Sequence, residues 1–128
     1  MSQKQILNTP NAPAAIGPYN QAILAGNTLY VSGQVPFNPA TMELVSTGVI
    51  DEAHQVLKNV EAILTHAGYA FEDVVKVSIF ISDMGDFAAI NEVYAQYFKE
   101  NQPARECVAV KTLPRNVNVE ISVIAWKA

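Results

Sequence analysis

Two charged side chains, Arg105 and Glu120, stand inside segments whose alternating pattern predicts β-strands. Burying either charge is costly unless it is paired, hydrated or used in chemistry. An arginine fork can hold a carboxylate through two hydrogen bonds, and a glutamate can deprotonate a water. Together they predict a small-anion pocket in which a carboxylate can hold or deprotonate a water. A structural ion pair of Arg105 with Glu106 or Glu120, or a contact between subunits, explains the same residues, and this alternative stays open here.

Cys107 is the single cysteine, and a nucleophilic thiol needs an activating base beside it. Both histidines, His54 and His66, fall in the first predicted helix, and nothing in the sequence brings either of them to the thiol. An inert, buried thiol is therefore favoured. The two histidines do not have the i, i+4 spacing of helical metal ligands, so we expect no metal site.

Hydrophobic periodicity predicts the elements that must position these side chains. Strands are predicted at 19–25, 29–35, 74–81, 105–110 and 117–125, and helices at 51–67 and from Asp83 or Asp86 onward. Residues 8–18 hold three of the seven prolines and predict an extended arm. The order β-β-α-β-α-β-β predicts one α+β domain over residues 1–128, with two helices on one face of a mixed sheet of about five strands.

Alternation within the last two predicted strands indicates which sheet face carries the candidate residues. The odd positions of 117–125 are apolar and predict a core face, so Glu120 should point away from the helices. In 105–110 the two valines at 108 and 110 match the apolar side. The face without helices is therefore predicted to carry Arg105, Cys107, Glu120 and Ser32.

Composition argues against several classes of function. Eight Lys+Arg against 12 Asp+Glu give a net charge of -4 without a basic run, which predicts no binding of nucleic acid. No apolar stretch is long enough to span a membrane and the start does not resemble a signal peptide, so a cytoplasmic protein is expected. Only 16% of residues are charged, against about 25% in typical domains. This low value predicts a surface partly covered by further copies of the chain.

Segments spread over essentially the whole chain resemble the reactive intermediate deaminase family, the YjgF-type proteins. The segments are Ile16-Gly-Pro-Tyr19, Tyr30-Val-Ser-Gly-Gln-Val-Pro36, Asn91-Glu-Val-Tyr94, Pro103-Ala-Arg-Glu-Cys-Val108 and Val119-Glu-Ile-Ser-Val123. The resemblance implies a chorismate-mutase-like α+β fold and a homotrimer. In that assembly the three sheets would line a central β-barrel and small-molecule clefts would lie between subunits.

The same resemblance implies hydrolysis of 2-imino and enamine acids, such as 2-aminoacrylate and 2-aminocrotonate, that pyridoxal-phosphate enzymes release from serine and threonine. The products would be 2-keto acids and ammonia, and no metal or organic cofactor is implied. By position, Arg105 matches the carboxylate-binding arginine and Glu120 the acid that positions water. The other implied contacts are the hydroxyls of Tyr19 and Ser32, the backbone of Gly33, Asn91 as a pocket-shaping residue, and the Cys107 thiol near the imine.

Three features depart from the family pattern: Glu106 where serine is frequent, Ser122 where a second acid is often found, and a shortened loop at 100–103. The first bears on the effective charge of Arg105, and the loop bears on which imine fits. Three alternative functions stay open from sequence. They are a non-catalytic trimer that binds a keto or amino acid, a protein that acts on nucleic acid, and a chaperone-like or structural trimer.

Overall fold

The structure, a computed structural model, describes residues 3–128. Within that range six strands and two α-helices follow one another. In chain order they are β1 (Lys4–Leu7), β2 (Ala22–Ala25), β3 (Thr28–Gln34), α1 (Val49–His66), β4 (Val74–Ile81), α2 (Phe87–Tyr97), β5 (Ala104–Ala109) and β6 (Val119–Trp126). The predicted order of elements is confirmed, with one additional strand at the beginning.

All six strands form one mixed sheet in the order β1-β2-β3-β6-β4-β5. Only β4 and β5 run parallel, and every other neighbouring pair is antiparallel. Both helices pack on one face, where apolar side chains of α1, α2 and alternate sheet positions form a single core. The predicted α+β class is therefore confirmed. No helix in the described range is both long and apolar enough to cross a membrane.

The sequence of helix α1 explains its amphipathic packing and its end. Its buried positions recur at helical spacing, as at Val56, Leu57, Val60 and Leu64, and form the stripe that packs on the sheet. Acidic residues in the first turn suit the positive end of the helix dipole. Gly68, at φ +81°, ends the helix in the left-handed conformation that glycine adopts without strain.

The predicted arm at 8–18 contains no strand and is held by one buried side chain. The Gln21 amide donates hydrogen bonds to the carbonyls of Thr9, Ala12 and Pro13 at 2.9–3.3 Å, and its oxygen accepts from the Thr9 amide at 2.7 Å. The arm therefore has a fixed path beside β2. Strand β1, which precedes it, was not predicted.

The predicted face of Arg105 and Cys107 is wrong. Strand β5 pairs in parallel with β4, where Arg105 lies opposite Val77 and Cys107 opposite Ile79. Both β4 residues are fully buried beneath the helices, so Arg105 and Cys107 lie on the helix face. Val108 lies on the other face and is 44% exposed. The error arises because β5 is the edge strand, where the apolar residues of the pattern do not mark the core.

The predicted face of Glu120 is confirmed. It lies between buried Val119 and Ile121 and opposite Phe80, on the side of the sheet without helices. We call this side the open face. Its apolar residues are Tyr30, Phe80, Val108, Ile124 and Trp126, and three of these, Tyr30, Val108 and Trp126, are large exposed hydrophobics. In the single chain this apolar surface has no cover among the described elements.

Candidate active site

Glu120 opens onto a cavity of about 530 Å³ on the open face. We call it the Glu120 cavity. Strands β3 and β6, the arm and the connection between β5 and β6 all contribute to its wall. Its lining residues are Ile16, Tyr19, Ser32, Gly33, Val35, Phe37, Pro114, Arg115 and Glu120. Four residues that the sequence analysis implicated, Tyr19, Ser32, Gly33 and Glu120, are thus brought together.

The Glu120 carboxyl lies directly over Gly33. A Cβ atom at position 33 would stand 2.5 Å from Oε2 and 2.9 Å from Cδ of Glu120, so only glycine leaves room for this placement. Burial raises the pKa of the Glu120 carboxyl above its usual value. No cation or hydrogen bond in residues 3–128 offsets that rise. A carboxylate in these surroundings is a suitable proton acceptor for a nearby water.

Gly33→Ala is expected to displace the Glu120 carboxyl without unfolding the chain. The new methyl group meets the mobile end of the Glu120 side chain, which can rotate toward solvent. The pKa of Glu120 should then fall toward its usual range, as measured by NMR titration of its side-chain carboxyl. An unchanged pKa would show that the close packing over Gly33 does not determine the placement of Glu120.

The raised pKa predicts how stability depends on pH. The folded state holds the Glu120 proton more tightly than the unfolded chain, so the contribution of this residue to stability falls as pH rises through the folded pKa. Glu120→Gln should therefore have a higher Tm than the unsubstituted protein at pH 7. The Tm difference between Glu120→Gln and the unsubstituted protein should disappear at a pH below the pKa of an unfolded glutamate.

Glu106→Gln is the matched control for thermal unfolding. Ser78 and Lys76 lower the pKa of the Glu106 carboxyl, so its contribution has the opposite sign: it is present at pH 7 and lost in acid. Glu106→Gln should lower Tm at pH 7. Equal changes in Tm for the Glu120 and Glu106 variants would contradict both assignments.

The hydroxyls of Tyr19 and Ser32 reach the same cavity from different segments. Ser32 Oγ donates to the Asn20 carbonyl at 2.6 Å, which fixes its orientation and leaves its lone pairs free to accept. Tyr19 is 50% exposed, and its hydroxyl accepts a long hydrogen bond of 3.4 Å from the Ile16 amide. The Tyr19 hydroxyl hydrogen is therefore available to a ligand.

Arg105 occupies a separate cleft of about 310 Å³ between the edge strand and α2. We call it the Arg105 cleft. Its Nη1 donates to Asn91 Oδ1 at 2.7 Å, and its Cζ lies 4.8 Å from the centre of the Tyr94 ring and 5.7 Å from that of Phe87. These contacts hold the plane of the guanidinium while leaving most of its five donors available. Asn91, which the resemblance implies as a pocket-shaping residue, lies beside the arginine and lines the same cleft.

The ion-pair alternative for Arg105 is wrong for the described chain. The one ion pair among residues 3–128 joins Lys76 Nζ to Glu106 Oε1 at 3.6 Å, and Ser78 Oγ donates to Glu106 at 2.6 Å. Glu106 therefore has its own partners on the open face, across the strand from Arg105. Neither it nor Glu120 neutralises the guanidinium. Glu106, which stands where family members often have serine, therefore does not change the effective charge of Arg105.

Cys107 lines neither the Glu120 cavity nor the Arg105 cleft. It packs against the core on the helix face, and burial raises the pKa of its thiol. At neutral pH it is a thiol rather than a thiolate, in agreement with the inert residue that the sequence favours. His54, on α1, has its Nδ1 2.9 Å from the hydroxyl of Tyr97, on α2.

One chain therefore holds two partial sites on opposite sides of its sheet. The Glu120 cavity has the acid and the hydroxyls, whereas the Arg105 cleft has the guanidinium and its positioning residues. The linings of the two sites share no residue. Arg115 also lines the cavity and was not predicted, although a cation in the turn Leu113-Pro-Arg-Asn116 just before the strand of Glu120 was a usable signal.

Comparison with known proteins identifies the family. A model described as endoribonuclease L-PSP matches residues 9–127. A RutC family protein of Pyrococcus horikoshii is 52% identical over 124 residues, covering 97% of this chain and 98% of that protein. Human 2-iminobutanoate/2-iminopropanoate deaminase is 46% identical over 122 residues, covering 95% and 89%. The crystal structure of E. coli TdcF with bound serine has a TM-score of 0.92 and 44% identity, covering 97% and 99%. The chain thus belongs to the reactive intermediate deaminase family, the YjgF-type proteins.

Proposed function

We propose that this protein hydrolyses reactive 2-imino acids and their enamine tautomers to 2-keto acids and ammonia, at a site formed between two copies of the chain. The observation that carries the proposal is the division of the site. Within residues 3–128, the Arg105 guanidinium has no acidic partner and the Glu120 carboxylate has no basic partner, and the two lie on opposite sides of one sheet. Each partial site supplies what the other lacks.

A symmetric ring of copies can join the two partial sites. Arg105 lies on the edge strand β5, so its cleft is at the boundary of the subunit where a neighbour can approach. The apolar open face also needs cover, and copies packed around a common axis would bury it. We propose a homotrimer in which the open faces line a central barrel. In it the Arg105 cleft of one subunit meets the Glu120 cavity of the next.

The proposed reaction begins with the substrate carboxylate on the Arg105 fork. This contact fixes the C=N carbon near the Glu120 cavity and supplies orientation. Glu120 accepts a proton from a water as the water oxygen bonds to that carbon, and the C=N electron pair moves onto nitrogen. Glu120 then returns this proton to nitrogen, which gives a carbinolamine. The carbinolamine hydroxyl next gives up its proton, which Glu120 passes to the amino nitrogen, while the oxygen electron pair forms the C=O bond and the C–N bond breaks. Ammonia leaves and the 2-keto acid remains. The Tyr19 and Ser32 hydroxyls line the wall where the new oxygen substituent would sit.

The names of two relatives support the substrate class. The human relative is named for deamination of 2-iminobutanoate and 2-iminopropanoate. TdcF holds serine, a small 2-amino acid with the same carboxylate and a nitrogen on the neighbouring carbon. These 2-imino acids hydrolyse readily in water, so the modest acceleration required suits a site with one acid and one guanidinium. 2-Aminoacrylate and 2-aminocrotonate are the neutral substrates that the proposed reaction would accept.

A second candidate function is binding of a small acid without turnover. The serine bound to TdcF favours this candidate, since serine is an amino acid and not an imine. Action on nucleic acid is disfavoured by the net charge of -4. A filter-binding titration at low salt is expected to detect no retained RNA.

A coupled assay tests the proposed function. A serine or threonine dehydratase generates the imine, and release of keto acid is followed with and without the protein. The proposal predicts faster release with the unsubstituted protein and with Lys58→Ala, which removes an exposed charge that lines neither partial site. Release at the rate of the protein-free control would leave only the binding function.

A further inference from the structure

Arg115 gives the Glu120 cavity a cation of its own. It lies in the connection between β5 and β6 with a left-handed backbone, at φ +60°, and Asn116 follows at φ +57°. Residues other than glycine adopt this conformation rarely, and such strained positions concentrate at functional sites. The turn directs the chain so that residue 115 borders the same space as Glu120.

The wall beneath Arg115 is fixed by buried contacts. Its Cζ lies 5.5 Å from the centre of the Phe37 ring, which is 6% exposed. The Asn59 amide, 1% exposed, donates to the carbonyls of Phe37 at 2.9 Å and Val35 at 3.2 Å. Helix α1 therefore holds the loop that supports the guanidinium. A cation stacked on an anchored ring is pre-organised for an anion.

Arg115 has no acidic partner within residues 3–128, where the ion pair is that of Lys76 and Glu106. It borders the Glu120 cavity without forming an ion pair with Glu120, so its donors are available to a ligand. The proposed reaction already uses Arg105 for the carboxylate next to the imine carbon. A second guanidinium at the same composite site therefore matches a second anionic group.

We propose that Arg115 binds a side-chain carboxylate, so that the site prefers short 2-imino dicarboxylic acids to neutral 2-imino acids. This inference rests on the proposed function for its reaction and on the Glu120 cavity for its binding. The cavity volume of about 530 Å³ lies in the range of small-molecule sites, about 300–1,000 Å³. The ligand would span from the Arg105 fork, past Glu120, to Arg115.

Binding of stable keto acids tests the inference independently of turnover. Isothermal titration calorimetry would compare 2-oxoglutarate, a dicarboxylate, with 2-oxobutanoate, a monocarboxylate. For 2-oxoglutarate, Arg115→Gln should raise Kd about 10- to 150-fold, and for 2-oxobutanoate less than about threefold. Arg115→Lys should lie between the unsubstituted protein and Arg115→Gln, because it keeps the charge without the fork. Lys111→Gln is the matched control, since it removes an exposed cation of the same connection that does not line the cavity.

Three outcomes would overturn the inference. If Arg115→Gln weakens both keto acids equally, Arg115 serves the carboxylate that they share. If it weakens neither, or if the unsubstituted protein does not bind 2-oxoglutarate more tightly than 2-oxobutanoate, the cavity has no second anion site. The coupled imine assay reports the proposed function separately. If Arg115→Gln selectively loses 2-oxoglutarate binding but the unsubstituted protein does not hydrolyse imines, the second anion site would be supported and the proposed reaction would be wrong.

Discussion

Glu120→Gln is expected to lower kcat for imine hydrolysis by a factor of about 10² to 10⁴, the usual contribution of a general base. The amide is nearly isosteric with the carboxyl, so it fits over Gly33 but cannot accept the proton of the attacking water. KM should change less than kcat, since the proposed carboxylate contact lies on Arg105. The coupled dehydratase assay measures both constants.

The thermal stability of Glu120→Gln provides the control for this result. Because the carboxyl is desolvated in the folded protein, its removal should raise Tm at pH 7 while activity falls. Lost activity therefore cannot be attributed to unfolding. Hydrolysis by Glu120→Gln at close to the unsubstituted rate would remove the base from the mechanism.

Arg105→Ala is expected to lower kcat/KM for a 2-imino acid about 10- to 150-fold, since removing a hydrogen bond to a charged group costs about 1.5–3 kcal/mol. Arg105→Lys should recover little activity. An ammonium cannot bind the substrate carboxylate with a fork while also donating to Asn91 and stacking on Tyr94. The comparison is made in the same coupled assay with serine and with threonine as the dehydratase substrate.

Lys58→Ala is the matched control for the loss of one positive charge, as it lies exposed on α1 away from both partial sites. Arg105→Ala should also lose affinity for 2-oxobutanoate, which has only the carboxylate assigned to this fork. If Arg105→Ala retains both hydrolysis and keto-acid binding, the guanidinium has no role in either, and a structural trimer becomes the better description.

Much of the fold could be predicted from the sequence because strong periodicity encodes it. The stripe of α1 and the β-branched run of β4 predict elements that agree with the structure within two residues at each end. Strand β1 escaped prediction since Lys4–Leu7 is short and mostly exposed, without an alternating core face. Its place depends on pairing with β2, which is more than ten residues away along the chain.

The candidate site was only partly predictable because some of its residues are positioned by strand pairing and turn geometry rather than by a local hydrophobic pattern. Glu120 lies on a central strand with a complete apolar face, so alternation gave its orientation correctly. Arg105 lies on an edge strand in which five of the six residues are exposed and the sixth is intermediate, so the strand has no periodic core signal. Only pairing with β4 shows which face Arg105 is on. Arg115 depends on a left-handed turn that hydrophobic patterning does not encode. The proposed division of the site between two subunits depends on strand order and on assembly, and no local sequence pattern specifies either.

Mixed oligomers test the division of the site between two copies most directly. Arg105→Ala and Glu120→Gln chains would be unfolded together and refolded as a mixture, and imine hydrolysis compared with that of each variant refolded alone. If one copy supplies the arginine and its neighbour the glutamate, random mixing of equal amounts restores both groups at about one quarter of the sites, and activity returns to about one quarter of the unsubstituted level. Activity no higher than the mean of the two separate variants would contradict a site shared between copies.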